Sequence, residues 1–257
     1  MPQKYRTKKR FGQHFLHDLS IIQKMVYAIN PKSAEKLIEI GPGLGALTFP
    51  LLDETHHLDV VEIDRDVIQP LQQKGQDRLT IHNVDALRFD FSSLLDDATA
   101  KLRVVGNLPY NISTPLIFHL LEFREQISDM HFMLQKEVVD HLTAIPGSKD
   151  YGRLSIMVQY FCQADYLFYV PPSAFNPPPK VDSAVLRIKP WDELPYVSNN
   201  HDNLSKLVKE AFSKRRKTLR NSLKKMLTAE QIESVGIDAG LRPEQLSVED
   251  YVKLSNI

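Results

Sequence analysis

Short runs of β-branched and aliphatic residues alternate with stretches of helical apolar spacing up to residue 189. The runs predict strands at residues 36–40, 58–63, 79–82, 102–105, 130–134, 166–170 and 184–188. The stretches between them predict helices at residues 20–29, 45–52, 67–73, 114–123, 136–143 and 153–162. This alternation favours an α/β fold with a parallel, doubly wound sheet. The last two strands flank a proline-rich loop and are expected to pair as an antiparallel hairpin at the sheet edge.

The pattern changes after residue 189. Residues 190–202 are polar and contain prolines, which is typical of a linker. Beyond them only helical spacing is found, at residues 204–212, 218–227, 229–235 and 248–254. Ser247 and Asp250 occupy the N-cap and N3 positions of the last predicted helix. The pattern therefore predicts two domains, an α/β domain over residues 1–190 and a small all-helical domain over residues 203–257.

Composition places the chain among ordinary globular proteins. Hydrophobic residues make up 42% and charged residues 25% of the 257 positions, which argues against disorder. The apolar runs are far shorter than a membrane span, and the basic first residues lack the apolar stretch of a secretory signal. The single cysteine, Cys162, excludes an intramolecular disulfide and fits a reducing compartment. We therefore expect a cytoplasmic protein.

The net charge of zero hides two basic blocks. Residues 1–24 carry six Lys and Arg against one Asp, and residues 206–225 carry nine against one Glu. Either block alone is most simply explained as a solvated surface. Two basic blocks on an otherwise acidic chain favour a polyanionic binding partner such as a nucleic acid. The candidate RNA-binding residues are Lys8, Lys9, Arg10, Arg215, Arg216, Lys217 and Arg220.

A glycine-rich turn follows the first predicted strand. Gly41, Gly43 and Gly45 are spaced Gly-x-Gly-x-Gly, and glycines at such a turn let a ligand approach the backbone closely. This spacing differs from that of the dinucleotide-binding motif Gly-x-Gly-x-x-Gly, in which binding of the pyrophosphate depends on the exact spacing of the glycines. A tight turn without a ligand is the simpler alternative.

Acidic residues follow the next two predicted strands. Glu62 stands about 20 residues after the glycines, where a carboxylate can accept from both ribose hydroxyls. Asp85, followed by Ala86, is placed to accept from the amino group of an adenine. Alternatively, acids at these positions cap the following helices, as Asp64 or Asp66 can. A nucleoside pocket lined with carboxylates suits the sulfonium of S-adenosylmethionine (AdoMet) better than NAD.

The turn Asn107-Leu108-Pro109-Tyr110 follows the fourth predicted strand. An exocyclic amine on a purine is a poor nucleophile because its lone pair is delocalised into the ring. Two acceptors aimed at its hydrogens, the Asn107 side-chain oxygen and the Leu108 carbonyl, would localise that lone pair. Tyr110 would supply a face for the base to stack on. The alternative is an ordinary proline turn with a packed tyrosine.

The proline-rich segment 170–183 contains one aromatic residue, Phe175. A stiff loop can hold this ring over the pocket, where it would sandwich a flipped base against Tyr110. Alternatively, Phe175 fills the core and the prolines end an edge strand.

Several segments together carry a resemblance to a known family. They are residues 12–16 (GQHFL), 39–45 (EIGPGLG), 107–111 (NLPYN), 134–137 (LQKE), 151–155 (YGRLS), 178–183 (PPKVDS) and 215–223 (RRKTLRNSL). The chain resembles the rRNA adenine dimethyltransferases, and among them the bacterial enzymes that act on 16S rRNA. The similarity runs from about residue 5 to the end of the chain.

This resemblance implies a Rossmann-like class I AdoMet-dependent methyltransferase. Residues 1–190 would be the catalytic, AdoMet-binding domain with a basic N-terminal arm, and residues 203–257 an RNA-binding domain. Two methyl groups would be placed on N6 of each of two adjacent adenosines, in a hairpin loop near the 3′ end of small-subunit rRNA, during ribosome biogenesis. We expect a monomer whose partner is the 16S rRNA or the small-subunit precursor.

The resemblance also implies roles for individual residues. Residues that would contact the donor are His14, Leu16, Gly41, Gly43, Glu62, Asp85, Ala86 and Asn107. Target-amine residues would be Asn107, Leu108, Pro109 and Tyr110, with Phe175 stacking. Position 14 is Asn in some relatives, and Gly45 replaces an Ala, a change expected not to matter. No metal is expected, since His14, His17 and Asp18 have no second cluster to complete a site.

The sequence features disfavour three alternative functions. The same chemistry on large-subunit rRNA, as in resistance methylases, is disfavoured by residues 180–183 and by the tail. A non-catalytic RNA-binding assembly factor is disfavoured by the intact Asn107, Tyr110 and Glu62. An NAD-dependent oxidoreductase is disfavoured by the glycine spacing.

Overall fold

The computed structural model describes residues 14–97, 99–214 and 216–257. Its strands are β1 (Phe15–Leu16), β2 (Lys36–Ile40), β3 (Leu58–Val61), β4 (Leu79–His82), β5 (Leu102–Asn107), β6 (Ile127–Gln135), β7 (Cys162–Val170), β8 (Phe175–Asn176) and β9 (Ser183–Pro190). Its helices are α1 (Leu19–Ile29), α2 (Thr48–Glu54), α3 (Arg65–Gly75), α4 (Ser113–Glu122), α5 (Lys136–Thr143), α6 (Arg153–Phe161), α7 (His201–Ala211), α8 (Leu219–Ser222), α9 (Ala229–Ser234) and α10 (Val248–Ser255). None of these helices is long and apolar enough to cross a membrane.

Seven strands form one sheet in the order β4-β3-β2-β5-β6-β9-β7. Strands β2 to β6 run parallel, and β9 is antiparallel to β6. The predicted α/β fold is confirmed, and the last two predicted strands are neighbours with β7 at the edge. The strand order reverses between β2 and β5, so the carboxyl ends of these two strands border the crevice where open α/β sheets bind ligands.

A second, two-stranded sheet joins β1 to β8, and no sequence pattern predicts it. Phe15 pairs with Asn176 and Leu16 with Phe175, and the His17 amide donates to the Ala174 carbonyl at 3.0 Å. Two-residue strands are too short to show an alternating pattern. The pairing fixes the segment before α1 against the proline-rich loop.

The chain divides into two compact units. The first holds the described residues up to Val139 together with Asp165–Pro190, and the second holds Asp140–Ala164 with Trp191–Ile257. The sequence predicts domains over residues 1–190 and 203–257, whereas the helical unit of the structure also contains residues 140–164. Within that unit the Gly147 amide donates to the Glu244 carbonyl at 2.7 Å, and the Trp191 amide donates to the Phe161 carbonyl at 3.0 Å.

The helical unit also departs from its predicted elements in one place. The helix predicted over residues 218–227 is confined to α8, and its first two amides donate to the carbonyls of Leu241 and Ala239. After α8 the chain turns, with the Met226 amide donating to the Leu223 carbonyl at 2.7 Å. The predicted cap of α10 is confirmed, because the Asp250 amide donates to Ser247 Oγ at 3.1 Å and the Ser247 amide to Asp250 Oδ2 at 2.9 Å.

Candidate active site

The glycine turn leaves the carboxyl end of β2 at the reversal of strand order. Gly41, Gly43 and Gly45 all have positive φ, at 70°, 52° and 82°. A Cβ at Gly43 would lie 3.1 Å from Phe15 Cε1, and one at Gly45 would lie 2.2 Å from Phe49 Cε2. A side chain at position 43 or 45 would meet an aromatic ring from a strained backbone conformation, which argues against the expectation that glycine and alanine are equivalent at position 45.

Glu62 follows β3 and is only 6% exposed. Its Oε2 accepts from the Gly43 amide at 3.2 Å, and its Oε1 accepts from the Asp64 amide at 2.7 Å. Burial raises the pKa of Glu62, and these two backbone donors oppose that rise. The Glu62 carboxylate thus links the end of β3 to the glycine turn. Glu62 also lines the cavity described below. Capping of the next helix belongs to Asp64, which accepts from the Asp66 amide at 3.2 Å.

Asp85 and Ala86 follow β4 on the same side of the sheet. Asp85 Oδ1 accepts from the Leu87 amide at 3.0 Å and so caps a single helical turn over Ala86–Arg88. Half-buried Asp85 and buried Ala86 both line the cavity. The capping bond fixes the direction of the carboxylate.

Glu39 is a cavity residue that sequence reasoning did not identify. It lies on β2 just before the glycine turn, is buried, and accepts from Thr48 Oγ1 at 2.6 Å. Burial raises the pKa of Glu39 to about 8, and the nearby Glu62 carboxylate adds to the rise. The sequence signal is an acid between two isoleucines, Ile38 and Ile40, in a predicted strand, where burying a charge is costly.

The Asn107 turn leaves the carboxyl end of β5, opposite the glycine turn. The Leu108 amide donates to the Met133 carbonyl at 3.1 Å, and the Ile112 amide donates to the Pro109 carbonyl at 3.1 Å. Asn107 Nδ2 donates to the His14 backbone carbonyl at 3.3 Å. With the amide nitrogen engaged there, the side-chain oxygen is the atom that remains to accept from a ligand.

Two rings meet beside this turn. The rings of His14 and Tyr110 stack with centroids 5.8 Å apart and planes 25° from parallel. His14 Nδ1 lies 2.8 Å from the Pro177 carbonyl, so this nitrogen carries the hydrogen. The Tyr110 hydroxyl lies 2.7 Å from Ser183 Oγ. The His14 side chain therefore contacts the turn and the proline-rich loop.

Phe175 does not line the cavity. Its side chain is 2% exposed and belongs to the apolar core cluster, in agreement with the second interpretation of the sequence. The loop contributes Asn176 and Pro177 to the cavity instead. Pairing of β1 with β8 explains the difference, because Phe175 lies opposite Leu16 in that short sheet.

One cavity of about 1230 Å³ brings the other predicted residues of the first unit together. Its wall includes His14, Leu16, Gly41, Gly43, Glu62, Asp85, Ala86, Asn107, Leu108, Pro109 and Tyr110. This volume exceeds that of most small-molecule pockets and leaves room for a nucleoside-sized ligand and a second base. Across the described ranges, no three His, Cys, Asp or Glu side chains are grouped so that they could hold a metal ion.

The predicted basic residues lie partly outside the described residues. Lys8, Lys9, Arg10 and Arg215 fall there. Arg216, Lys217 and Arg220 belong to the helical unit and are exposed, the first two just before α8 and the third within it. Their exposure leaves the three side chains available to a polyanion.

Comparisons with known proteins agree along the whole chain. The family described as "Ribosomal RNA adenine dimethylase" matches residues 4–257. A protein of Alcanivorax borkumensis named "Ribosomal RNA small subunit methyltransferase A" is 62% identical and is matched over 99% of this chain and 91% of its own length. A protein of the same name from Pseudomonas aeruginosa is 55% identical, over 98% and 94% of the two chains.

Solved structures show the same fold. A dimethyladenosine transferase from Plasmodium falciparum superposes with a TM-score of 0.80 at 27% identity, covering 94% of this chain and 96% of its own. The 23S rRNA methyltransferase ErmE superposes with a TM-score of 0.74 at 24% identity, covering 94% and 98%. The second likeness concerns the fold alone.

Proposed function

Since the chain belongs to the ribosomal RNA adenine dimethylase family, we propose that it methylates N6 of adenosines in 16S rRNA. The substrate would be two adjacent adenosines in a hairpin loop near the 3′ end of the molecule, each converted to dimethyladenosine during biogenesis of the small subunit. The enzyme would act in the cytoplasm as a monomer with AdoMet as its methyl donor. The names of the small-subunit relatives support the choice of 16S rRNA.

The orientation of the Asn107 amide carries the proposal. Because Nδ2 donates to the His14 carbonyl, Oδ1 is the atom available to accept from the exocyclic amine of a base. The Leu108 carbonyl, next in the same turn, supplies a second acceptor. Together they would localise the nitrogen lone pair on the amine, and no strong base is needed because the amine becomes acidic once it is alkylated.

The other half of the cavity fits the nucleoside part of AdoMet. The positive-φ glycines let a ligand approach the backbone of the turn, and Glu62 and Asp85 bring carboxylates to the wall. We propose that AdoMet contacts Leu16, Gly41, Gly43, Glu62, Asp85 and Ala86. Asn107 and His14 would lie between the AdoMet site and the site of the target base. When bound, AdoMet supplies an electrophilic methyl group.

Aromatic residues would hold the target base. Tyr110 would stack on the adenine, with its hydroxyl fixed by Ser183 and its ring backed by His14. Pro109 would set the turn that places the Leu108 carbonyl. Phe175, buried in the core, would support the proline-rich loop from behind and would not contact the base.

RNA phosphates would be gripped by the two basic blocks. Arg216, Lys217 and Arg220 are exposed in the helical unit, and Lys8, Lys9, Arg10 and Arg215 complete the predicted set. Contacts to phosphates position a structured RNA on the protein, whereas the RNA sequence is recognised through loop bases that are splayed out of the helix. We therefore propose that these basic residues determine the affinity for RNA and that the cavity determines which base is methylated.

Methyl transfer to ribosomal subunits tests the proposal. The purified chain is incubated with methyl-labelled AdoMet and either undermethylated small subunits or large subunits, and the RNA is digested to nucleosides. We expect label only in small-subunit RNA, recovered as dimethyladenosine at both adjacent positions. Label confined to large subunits would support the resistance-type alternative, and RNA binding without label would support the assembly-factor alternative.

A further inference from the structure

Two tyrosine hydroxyls are bonded to consecutive residues of the loop that enters β9. Tyr110, in the cavity, has its hydroxyl 2.7 Å from Ser183 Oγ. Tyr169, on the edge strand β7, donates to Asp182 Oδ1 at 2.8 Å and is 46% exposed. Ser183 pairs with Gln135 at the carboxyl end of β6, and Met133 of the same strand pairs with Asn107 at the carboxyl end of β5. Tyr110 and Tyr169 are therefore both bonded to residues at the sheet edge that carries the cavity.

Exposed apolar and basic residues adjoin Tyr169 and its partner Asp182 along the chain. Tyr166 and Val181 are 40% and 43% exposed, and Lys180 is exposed next to Val181. Tyr166 and Lys136 both lie close enough to influence the Tyr169 hydroxyl. We name Tyr166, Tyr169, Val181 and Lys180 the β7 platform. Large apolar side chains grouped on a surface mark a site of interaction.

The Tyr169 ring is held in place while about half of its surface is open. The hydrogen bond to Asp182 uses the hydroxyl, so the exposed part of the side chain is largely the ring. A ring held at its hydroxyl loses less rotational freedom on binding than a free one. Lys180 is exposed two residues before Asp182 and brings a positive charge to this surface.

We propose that the β7 platform stacks the nucleotide adjacent to the target adenosine in the single-stranded RNA loop. The inference rests on the proposed function, because a strand that places one base against Tyr110 must continue past the cavity mouth. Bases stack on exposed aromatic rings, and lysines contact the phosphates between them. For two adjacent adenosines, the platform would hold one of the pair while the other occupies the cavity.

A fluorescent base tests the platform directly. A hairpin-loop RNA carries 2-aminopurine in place of the adenosine next to the target, and its fluorescence falls when the base stacks on a ring. The full-length chain, Tyr169→Ala, Tyr169→Phe and Tyr27→Ala are titrated with this RNA. Tyr27 is the matched control, because it is an 86% exposed tyrosine on α1.

We expect quenching with the native chain, with Y169F, which keeps the ring, and with Y27A. Y169A should lose most of the quenching and bind the RNA about tenfold more weakly, since stacking of one base contributes roughly a factor of 5 to 150, while its affinity for AdoMet is unchanged. Tyr169→Leu keeps an apolar side chain without the ring and serves as the test if the alanine variant does not fold.

The proposal fails if Y169A quenches and binds as the native chain does, or if Y169A and Y27A lose equal affinity. Native chain that methylates the RNA without quenching the neighbouring base would overturn the platform and leave the proposed function standing. Quenching without methylation of any adenosine would overturn the proposed function alone. Capture of a protein in place of RNA by this surface would also overturn the platform.

Discussion

Asn107 and His14, 93 residues apart in the sequence, are joined by a hydrogen bond from the Asn107 side-chain amide to the His14 backbone carbonyl at 3.3 Å. This bond connects the end of a central strand to the segment that precedes α1. It gives the amide one orientation, with its nitrogen turned to the protein and its oxygen left for a ligand. The β1–β8 pairing holds the His14 segment, so the small second sheet supports the candidate catalytic group.

Replacing Asn107 separates methyl transfer from donor binding. Asn107→Ala removes one of the two acceptors for the amine, and we expect the rate of methyl transfer to fall by about 100- to 1000-fold. Affinity for AdoMet should be partly retained, because the glycine turn and Glu62 are unchanged. Single-turnover transfer and calorimetry measure the two quantities. Near-normal turnover in N107A would contradict an amine-orienting role.

The His14 ring contacts Tyr110, although the family resemblance assigns His14 to the donor. We expect His14→Ala to raise KM for RNA by about 2- to 10-fold, the amount that a lost ring pair accounts for, and to change AdoMet affinity less. His14→Phe keeps the ring and loses the bond to Pro177, which separates stacking from positioning. If the substitution changed only the affinity for AdoMet, His14 would be a donor-binding residue and not a residue that supports the target base.

Gly45 is expected to resist substitution by alanine. Its φ of 82° costs a non-glycine residue about 1–3 kcal/mol, and the added Cβ would lie 2.2 Å from the Phe49 ring. Gly147→Ala is the matched control, because Gly147 has a φ of 85° and open space around its Cα. Urea unfolding should show a larger loss of stability for G45A than for G147A. Equal losses would mean that the Phe49 ring moves aside freely.

Glu39 should make stability fall as the pH rises. Burial raises its pKa from an ordinary 4.5 to about 8, so the folded chain binds a proton that the unfolded chain releases between these values. The resulting stability is complete below pH 4.5 and is lost as the pH rises through about 8. Glu39→Gln keeps an acceptor for Thr48 and should show a smaller loss over this range, measured by urea unfolding at several pH values.

Glu54→Gln is the control for that experiment, because Glu54 is an exposed glutamate at the end of α2. Its pH dependence should match that of the native chain. If E39Q and E54Q follow the same curve as the native protein, the Glu39 carboxyl does not hold a proton at neutral pH in the folded state.

Local sequence patterns indicated most strands of the main sheet. The bounds of β2, β4 and α5 agree with those predicted, whereas β5 and β6 extend beyond the predicted residues 102–105 and 130–134. The glycine turn, Glu62 and the Asn107 turn were located from the positions that follow such strands. All of them line one cavity.

Features that depend on distant pairing were not predictable in this way. The β1–β8 sheet joins residues far apart in sequence, and it is this pairing that places Phe175 in the core and His14 beside Tyr110. The assignment of residues 140–164 to the helical unit likewise rests on contacts with residues near the end of the chain. Local periodicity carries no information about such partners.

A crystal structure of the chain with a non-reactive AdoMet analogue and the hairpin-loop RNA tests the central claim most directly. The measured quantity is the position of the target N6 relative to two atoms, Asn107 Oδ1 and the Leu108 carbonyl oxygen. We predict that N6 lies within hydrogen-bonding distance of both, about 2.7–3.2 Å, with the base stacked on Tyr110. A base held elsewhere in the cavity, or an Asn107 amide with its nitrogen facing the base, would contradict the account.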